Sequence, residues 1–469
     1  MMKRSQLRYI LAILLICSTV ISCKITTTYR QPDLNTDSLF RDQTTTDTTN
    51  LATVSWQNLF SDTALKSLIK EGLDHNLNLQ SAIQKIYEAQ AAFDASKGAS
   101  FPGVSAFGSV NPSKQSSAAL NFPPGININT KTTYYQLGLS TSWEADIWGK
   151  LSSAKRGAFA GLLQTEAAKR VVQTELIAEI ANTYYNLLAL DKELEITTQT
   201  LQNRIKDVET MKSLKEAAVV NGAAVVQSEA NRYAVEVAIP DLKRSIRETE
   251  NTLNNLLGRP PGPVKRGVLN AQNPGSDLQT GVPSQLLINR PDVQQALFAF
   301  RNAFENTNAA KAYFYPSFTI TASGGFSNLK LKDFFLNSIF YNLAAGFTQP
   351  IFNHGINKAR LKIAEAQQME ALFNVQQTVL TAGSEVSNAL YSYQSAKEKD
   401  TARSSQIAAL EKAVDYTQQL LIYSSATNYT DVLTSEQSLL AAKLNAVNDR
   451  LQQLQAIVNL YRALGGGWR

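Results

Sequence analysis

Four runs of about ten residues, in which apolar and polar side chains alternate, constrain this chain more than any other feature. Residues 135–145, 318–326 and 341–347 alternate cleanly, and residues 101–111 do so less regularly. Ten residues is the length that a tilted strand needs to cross a bilayer, and one apolar face opposite one polar face is typical of a transmembrane β-barrel. A half-buried sheet of a soluble protein has the same pattern, so alternation alone leaves both structures open.

Four strands are too few to close a barrel. Exposed strand edges are not tolerated in hydrocarbon, and the smallest bacterial barrels have about eight strands. Several chains must therefore pool their strands if these runs lie in a membrane, and three chains would supply twelve around a water-filled lumen. The hairpin loops, residues 112–133 and 328–340, would then lie outside the cell.

Long helical patterns flank the strands in both halves of the chain. Apolar and small residues recur every three or four positions between Ala371 and Ala396, a period near 3.5 that is typical of close-packed coiled coils. Residues 358–423 contain no Pro and only one Gly, Gly383. They could therefore form a single helix of about 100 Å.

The second half of the chain repeats the first, with matching segments about 200 residues apart and the element order helix, strand, strand, helix, turn, helix. Between the halves, Arg259 to Pro283 contains five Pro and four Gly, which is typical of a linker. The matching pairs are Phe101-Pro102 with Tyr315-Pro316, Ile147-Trp148-Gly149 with Ile351-Phe352 and Gly355, Gln227-Ser228-Glu229 with Thr434-Ser435-Glu436, and Leu256-Leu257-Gly258 with Ala463-Leu464-Gly465.

The N-terminus is predicted to direct the chain out of the cytoplasm. Three basic residues precede the apolar stretch Ile10 to Val20, which is too short to span a bilayer and indicates a secretory signal peptide. Val20-Ile21-Ser22-Cys23 resembles a bacterial lipobox, so we expect cleavage before Cys23 and acyl chains on that residue. The predicted division is a signal peptide (1–22), a lipidated polar tether (23–60), a first repeat (61–258), a linker (259–290) and a second repeat (291–469).

Composition excludes several other classes of protein. The chain has only two Cys and two His, which argues against a disulfide framework, a His-based metal site and a Ser-His-Asp triad. Its sequence contains no phosphate-binding loop and no H-E-x-x-H motif. Its net charge is +6 without a run of five Lys or Arg, so no nucleic-acid partner is expected. We therefore expect no catalytic residues, no metal ligands and no cofactor other than the lipid on Cys23.

The chain resembles the TolC/OprM family of outer-membrane efflux factors, specifically the lipoprotein branch that works with resistance-nodulation-division pumps. The resemblance covers nearly all of the mature chain. It implies a mainly α fold with membrane β-strands, in which a trimer forms a long coiled-coil helical barrel and a 12-stranded β-barrel. It also implies a periplasmic adaptor and an inner-membrane pump as partners, and an outer-membrane location that extends into the periplasm. The matching motifs are Trp143 to Lys150, Leu287 to Asp292, Tyr315-Pro316, Gln349 to Phe352, Asp431-Val432-Leu433 and Ala463 to Trp468.

The same resemblance implies a periplasmic gate after the helix turn at about Ser424 to Asn428. Asp431 matches the first acidic gate position of the family, whereas Thr434 occupies the second. Tyr423 matches a Tyr that the family often places ahead of the turn, and Ala426 and Thr427 replace its usual Gly and Arg. An acid at the start of a helix also interacts favourably with the helix dipole, and both roles are compatible for Asp431.

Two other functions stay open from the sequence. A periplasmic coiled-coil scaffold or adaptor would share the helices but would not need the four amphipathic strands. An outer-membrane duct of a type I protein secretion system would share the whole architecture.

Overall fold

The computed structural model describes residues 25–36, 39–41, 49–116, 119, 129–272, 280–424 and 427–469. These residues form nine α-helices, four β-strands and four short 3-10 helices. The α-helices are α1 (Trp56–Leu59), α2 (Thr63–His75), α3 (Leu77–Gly98), α4 (Lys150–Glu216), α5 (Gly222–Leu256), α6 (Leu286–Asn289), α7 (Pro291–Ala312), α8 (Ile356–Tyr423) and α9 (Tyr429–Ala463). The strands are β1 (Gly103–Lys114), β2 (Lys131–Ala145), β3 (Ser317–Asn328) and β4 (Ile339–Thr348).

The chain divides into two compact units. The sheet unit comprises the described residues up to Asp33 and those within 86–164 and 296–375, and it holds all four strands. The helical unit comprises the described residues within 34–85, 165–295 and 376–469.

The four strands form one antiparallel sheet in the order β1-β2-β3-β4. This confirms the four predicted strands, although β1 and β2 extend further into the first hairpin than expected, to Lys114 and from Lys131. The predicted loop from residue 112 to residue 133 is therefore too long. Pro112 pairs with Thr133 and Lys114 with Lys131, so the ladder between β1 and β2 continues beyond the predicted strand ends.

The two faces of the sheet differ in composition. One face carries large apolar side chains that are exposed in the single chain, such as Val104, Ile339, Tyr341 and Leu343, which are 69%, 79%, 89% and 72% exposed. The opposite face has rows of small polar residues, one of which pairs Ser105, Ser140, Ser323 and Asn342 across the sheet. A soluble sheet would cover its apolar face with a core, so an exposed apolar face over four strands indicates contact with lipid or with other chains.

The predicted long helix of the second half is confirmed as α8, which is continuous over 68 residues. Its buried residues include Val375, Ala382 and Val386, all 0% exposed and all on the predicted coiled-coil face. Gly383 is needed because a Cβ atom there would lie 2.9 Å from the carbonyl oxygen of Leu39. The one glycine of this helix therefore marks a close backbone approach.

The duplication is visible where α5 and α9 end. Gly258 and Gly465 adopt positive φ angles of 68° and 89° and close the two helices with the same pattern of backbone hydrogen bonds. In each half a side chain donates to the last helical carbonyl at 2.8 Å, from Asn76 to Leu256 and from Arg290 to Ala463. Equivalent residues thus perform equivalent structural roles in the two halves.

The segment before α1 is packed more extensively than a polar tether would be. In the sheet unit, the backbone of Thr27 exchanges hydrogen bonds with the Asn308 side chain, and Tyr29 packs against Phe300 and Phe304. In the helical unit, Phe40 and Leu51 are already buried, so the folded part begins before Trp56. Within the described residues, the helices lack a segment that is both long and apolar enough to cross a bilayer.

Candidate functional site

The predicted gate residues lie where α8 ends and α9 begins, in the helical unit. Tyr423 is the last residue of α8 and is 84% exposed. Asp431 is the third residue of α9, and Thr434 follows one helical turn later. Cys23 and Ala426 lie outside the described residues.

A reciprocal capping box fixes the start of α9. The side-chain oxygen of Asn428 accepts a hydrogen bond from the Asp431 backbone N–H at 3.3 Å, and Asp431 Oδ2 accepts one from the Asn428 backbone N–H at 3.3 Å. The Thr427 hydroxyl also donates to Asp431 Oδ2 at 2.7 Å. An acidic residue in this position satisfies backbone donors and complements the helix dipole.

The structure does not bring the three predicted gate residues together within one chain. The Thr434 hydroxyl donates to the backbone carbonyl of Thr430 at 2.8 Å, a bond within its own helix. Tyr423, Asp431 and Thr434 are all exposed. Their common property in the single chain is that they lie on the solvent-facing surface of one helical hairpin tip, where further chains could meet them.

An apolar cluster underlies this tip. It contains Met211, Val225, Leu421, Tyr429 and Val432, each less than 9% exposed. These residues come from α4, α5, α8 and α9, so the hairpin tip of the first half packs against that of the second half. The position of Asp431 is therefore fixed by packing as well as by its capping box.

A buried charged group lies next to the apolar cluster. Arg204 of α4 is 3% exposed and forms a salt bridge with Glu436 of α9, whose side chain is 11% exposed. Glu436 also accepts a hydrogen bond from the Gln418 side chain of α8 at 2.8 Å. Three helices are therefore connected by one carboxylate, five residues after Asp431.

Asp207 is the second acid near Arg204. Its Oδ2 lies 3.6 Å from the Arg204 guanidinium and has no hydrogen-bond partner among the described residues. Burial raises the pKa of the Asp207 carboxyl, and the nearby positive charge of Arg204 offsets only part of that rise.

Sequence reasoning missed the Arg204–Glu436 contact. One signal was present, because Ser435-Glu436 matches Ser228-Glu229 of the first half, so an acid occurs at the same place in both repeats. The basic partner could not be found in this way, because Arg204 lies on a different helix and 232 residues earlier in the chain.

The family model for outer membrane efflux proteins matches residues 68–259 and 282–466. The chain belongs to this family. The two matched segments together cover most of the chain and fall on the two halves.

Curated relatives agree with this assignment. The chain is 27% identical over 416 residues to the probable outer membrane lipoprotein SilC of Salmonella typhimurium, with 88% of each protein covered. It is 28% identical over 427 residues to the cation efflux system protein CusC of Escherichia coli O6:H1, with 90% of each covered. Among solved structures, the outer-membrane channel OprN has a TM-score of 0.86 at 24% identity, covering 95% of this chain and all of that one.

These comparisons confirm the predicted fold class of long helices combined with four strands per chain. They also confirm that the protein is an outer-membrane efflux protein of a bacterial cell. The apolar strand face described above is consistent with that location, because it is the surface that a membrane would cover.

Proposed function

We propose that three copies of this chain form the outer-membrane channel of a tripartite efflux pump. The channel would passively conduct drugs, metals or other small molecules, delivered by a periplasmic adaptor and an inner-membrane resistance-nodulation-division pump. The observation that carries the proposal is the four-stranded sheet, whose β1 and β4 each pair on one side only within the described residues. Joining β4 of one chain to β1 of the next removes every unpaired edge when the ring closes.

Stoichiometry tests this closure. Native mass spectrometry of the protein in detergent should give a trimer, with twelve strands shared among its chains. A folded monomer that stays in the membrane would contradict the proposal, because its strand edges would be exposed to hydrocarbon.

We further propose that Cys23 carries the lipid anchor. The lipobox-like order Val20-Ile21-Ser22-Cys23 supports this, and SilC is itself named a probable lipoprotein. Mass spectrometry of the mature N-terminus should find acyl chains on Cys23. An unacylated chain that begins at another residue would contradict it. Cys23→Ala should weaken anchoring and leave trimer assembly unchanged, because the strands bury their own apolar face.

The Asp431 carboxylates of the three chains would form the narrowest, cation-attracting part of the periplasmic end. Asp431 supports this role because it is exposed at a packed hairpin tip, and rings of carboxylates favour cations. Single-channel recordings should show lower cation preference and weaker block by multivalent cations for Asp431→Asn than for the wild type. Asp400→Asn removes an exposed carboxylate from α8, 23 residues before the helix ends at Tyr423, and as the matched control it should leave both properties unchanged. Unchanged selectivity in Asp431→Asn would restrict that residue to helix capping.

A further inference from the structure

One row of the sheet departs from the small polar composition of its face. The pairing places Phe107 opposite Gly138, Gly138 opposite Gly325, and Gly325 opposite Phe340. The row therefore reads Phe-Gly-Gly-Phe across β1 to β4, on the same face as the Ser105, Ser140, Ser323 and Asn342 row. Phe107 is an apolar residue on the polar face, and this is why the alternation of β1 is the least regular of the four strands.

The two phenyl rings lean over the two glycines. Phe107 and Phe340 lie on the outermost strands, yet their ring centroids are 6.5 Å apart with an interplanar angle of 54°. A Cβ atom at Gly138 would lie 3.1 Å from the Phe107 ring and 2.6 Å from the Gly324 carbonyl oxygen. The missing side chain at Gly138 therefore leaves room for the Phe107 ring, whereas a Cβ atom at Gly325 would meet the backbone of Leu137 and Gly138.

The ring pair remains accessible in the single chain. Both Phe side chains are of intermediate exposure, and their separation lies within the 4.5–7 Å range of favourable aromatic contacts. Hydroxyl and amide groups of the Ser105, Ser140, Ser323 and Asn342 row lie two residues away along the strands. An apolar aromatic surface next to hydrogen-bonding groups matches a ring that carries a polar substituent.

We propose that Phe107 and Phe340 form a binding site for planar aromatic compounds with polar substituents, on the water-facing side of the sheet. The inference rests on the proposed function, in which this face lines the lumen of a trimeric channel. Threefold symmetry then places three ring pairs at one height, so permeating molecules pass an aromatic belt in an otherwise polar, largely uncharged β-barrel. The belt holds aromatic permeants briefly through contacts with the faces and edges of the rings.

A matched pair of small amines tests whether the site prefers aromatic compounds. Benzylammonium and cyclohexylmethylammonium carry the same charge and the same number of carbon atoms, but only benzylammonium is planar and aromatic. Added from the barrel side of the wild-type trimer in a planar lipid membrane, benzylammonium should block the current at about fivefold lower concentration. Equal block, or stronger block by the more apolar cyclohexyl compound, would overturn the proposal.

A pair of double variants tests the residues. Phe107→Leu with Phe340→Leu keeps apolar cover over the glycines but removes the aromatic faces, so the preference for benzylammonium should disappear. Phe318→Leu with Phe347→Leu is the matched control, because those rings pair at 4.7 Å on the opposite face of the same sheet. The control should keep the wild-type preference, and a preference that survives the first double variant would overturn the assignment.

The same rings also stabilise the sheet, because an aromatic side chain that covers a strand glycine shields its backbone. If the double variant fails to form channels, Phe340→Leu alone retains the Phe107 ring over Gly138 and should still reduce the preference. A wild-type protein that conducts without preference for benzylammonium contradicts only this inference. A wild-type protein that does not conduct contradicts both the inference and the proposed channel.

Discussion

The hairpin tips of the two halves are built in the same way but differ in their charged residues. In the first half, Asn221 caps α5 by accepting a hydrogen bond from the Ala224 backbone N–H at 3.2 Å. In the second half, Asn428 caps α9 through the N–H of Asp431 in the same manner. The matching position is therefore Ala224 in one tip and an acid in the other, so only the second tip presents a carboxylate in its first helical turn.

The equivalent glutamates of the two tips also differ, because their ion pairs are exposed to different extents. Glu229 pairs with Lys212 at 3.0 Å, and the two side chains are 36% and 55% exposed. Glu436 pairs with Arg204, and the two side chains are only 11% and 3% exposed. One copy of the duplicated fold alone thus combines a largely buried ion pair with an exposed acid in the first turn of its helix, and the proposed gate lies at that tip.

The largest expected effect comes from breaking the buried pair. Arg204→Ala would leave Glu436 and Asp207 without their cation, and loss of one partner of a buried pair destabilises a protein by about 3–5 kcal/mol. The midpoint of urea unfolding, followed by the loss of helical circular dichroism in detergent, should fall strongly. Lys212→Ala is the matched control and should change stability by less than about 1 kcal/mol, because its pair is exposed. Similar losses in both variants would contradict the distinction between the tips.

The Asn caps of the two tips should contribute similar amounts to stability, unlike the two ion pairs. Asn428→Ala and Asn221→Ala each remove a side chain that accepts from a helical N–H, which costs about 1 kcal/mol. Asn428→Ala should cost somewhat more, because the Asp431 carboxylate also loses its capping-box geometry. The same urea midpoints measure both variants. If Asn428→Ala left the urea midpoint unchanged, packing alone would fix the start of α9.

The smallest effect concerns Asp207, whose pKa is raised by burial. For an acid with a folded-state pKa above its unfolded value, stability falls as the pH rises through the interval between the two values. Asp207→Asn should remove this contribution, so it should be at least as stable as the wild type at pH 7 and lose its advantage below about pH 4, the unfolded pKa. Urea midpoints measured at both pH values test this. Destabilisation at pH 7 would show that the attraction of Arg204 outweighs the cost of burial.

The sequence was sufficient for those features that depend on local patterns. Alternation identified the four strands, and the absence of Pro over residues 358–423 identified α8, because both signals depend on neighbouring residues. The Phe107–Phe340 contact could not be predicted in that way, since it depends on the register of three strand pairs and on two glycines in the same row. The Arg204–Glu436 pair was missed for the same reason, because long-range contacts between helices leave no periodic signal.

The role of Asp431 could be predicted from the sequence only in part. Its motif placed it correctly at the start of a helix after a turn, and its capping box follows from local sequence. Its proposed place near a threefold axis depends on other chains, which a single-chain pattern does not specify. Selectivity measurements on Asp431→Asn therefore test whether the three carboxylates meet in the assembled protein.

Current through planar lipid membranes that contain the purified wild-type protein tests the central claim most directly. If three chains pool their strands with the small polar face inward, single insertions should give discrete, stable conductance steps of uniform size from trimeric protein. A protein that associates with the membrane as a trimer yet never conducts would contradict the account, because the polar face of the sheet would then not line a continuous water-filled path.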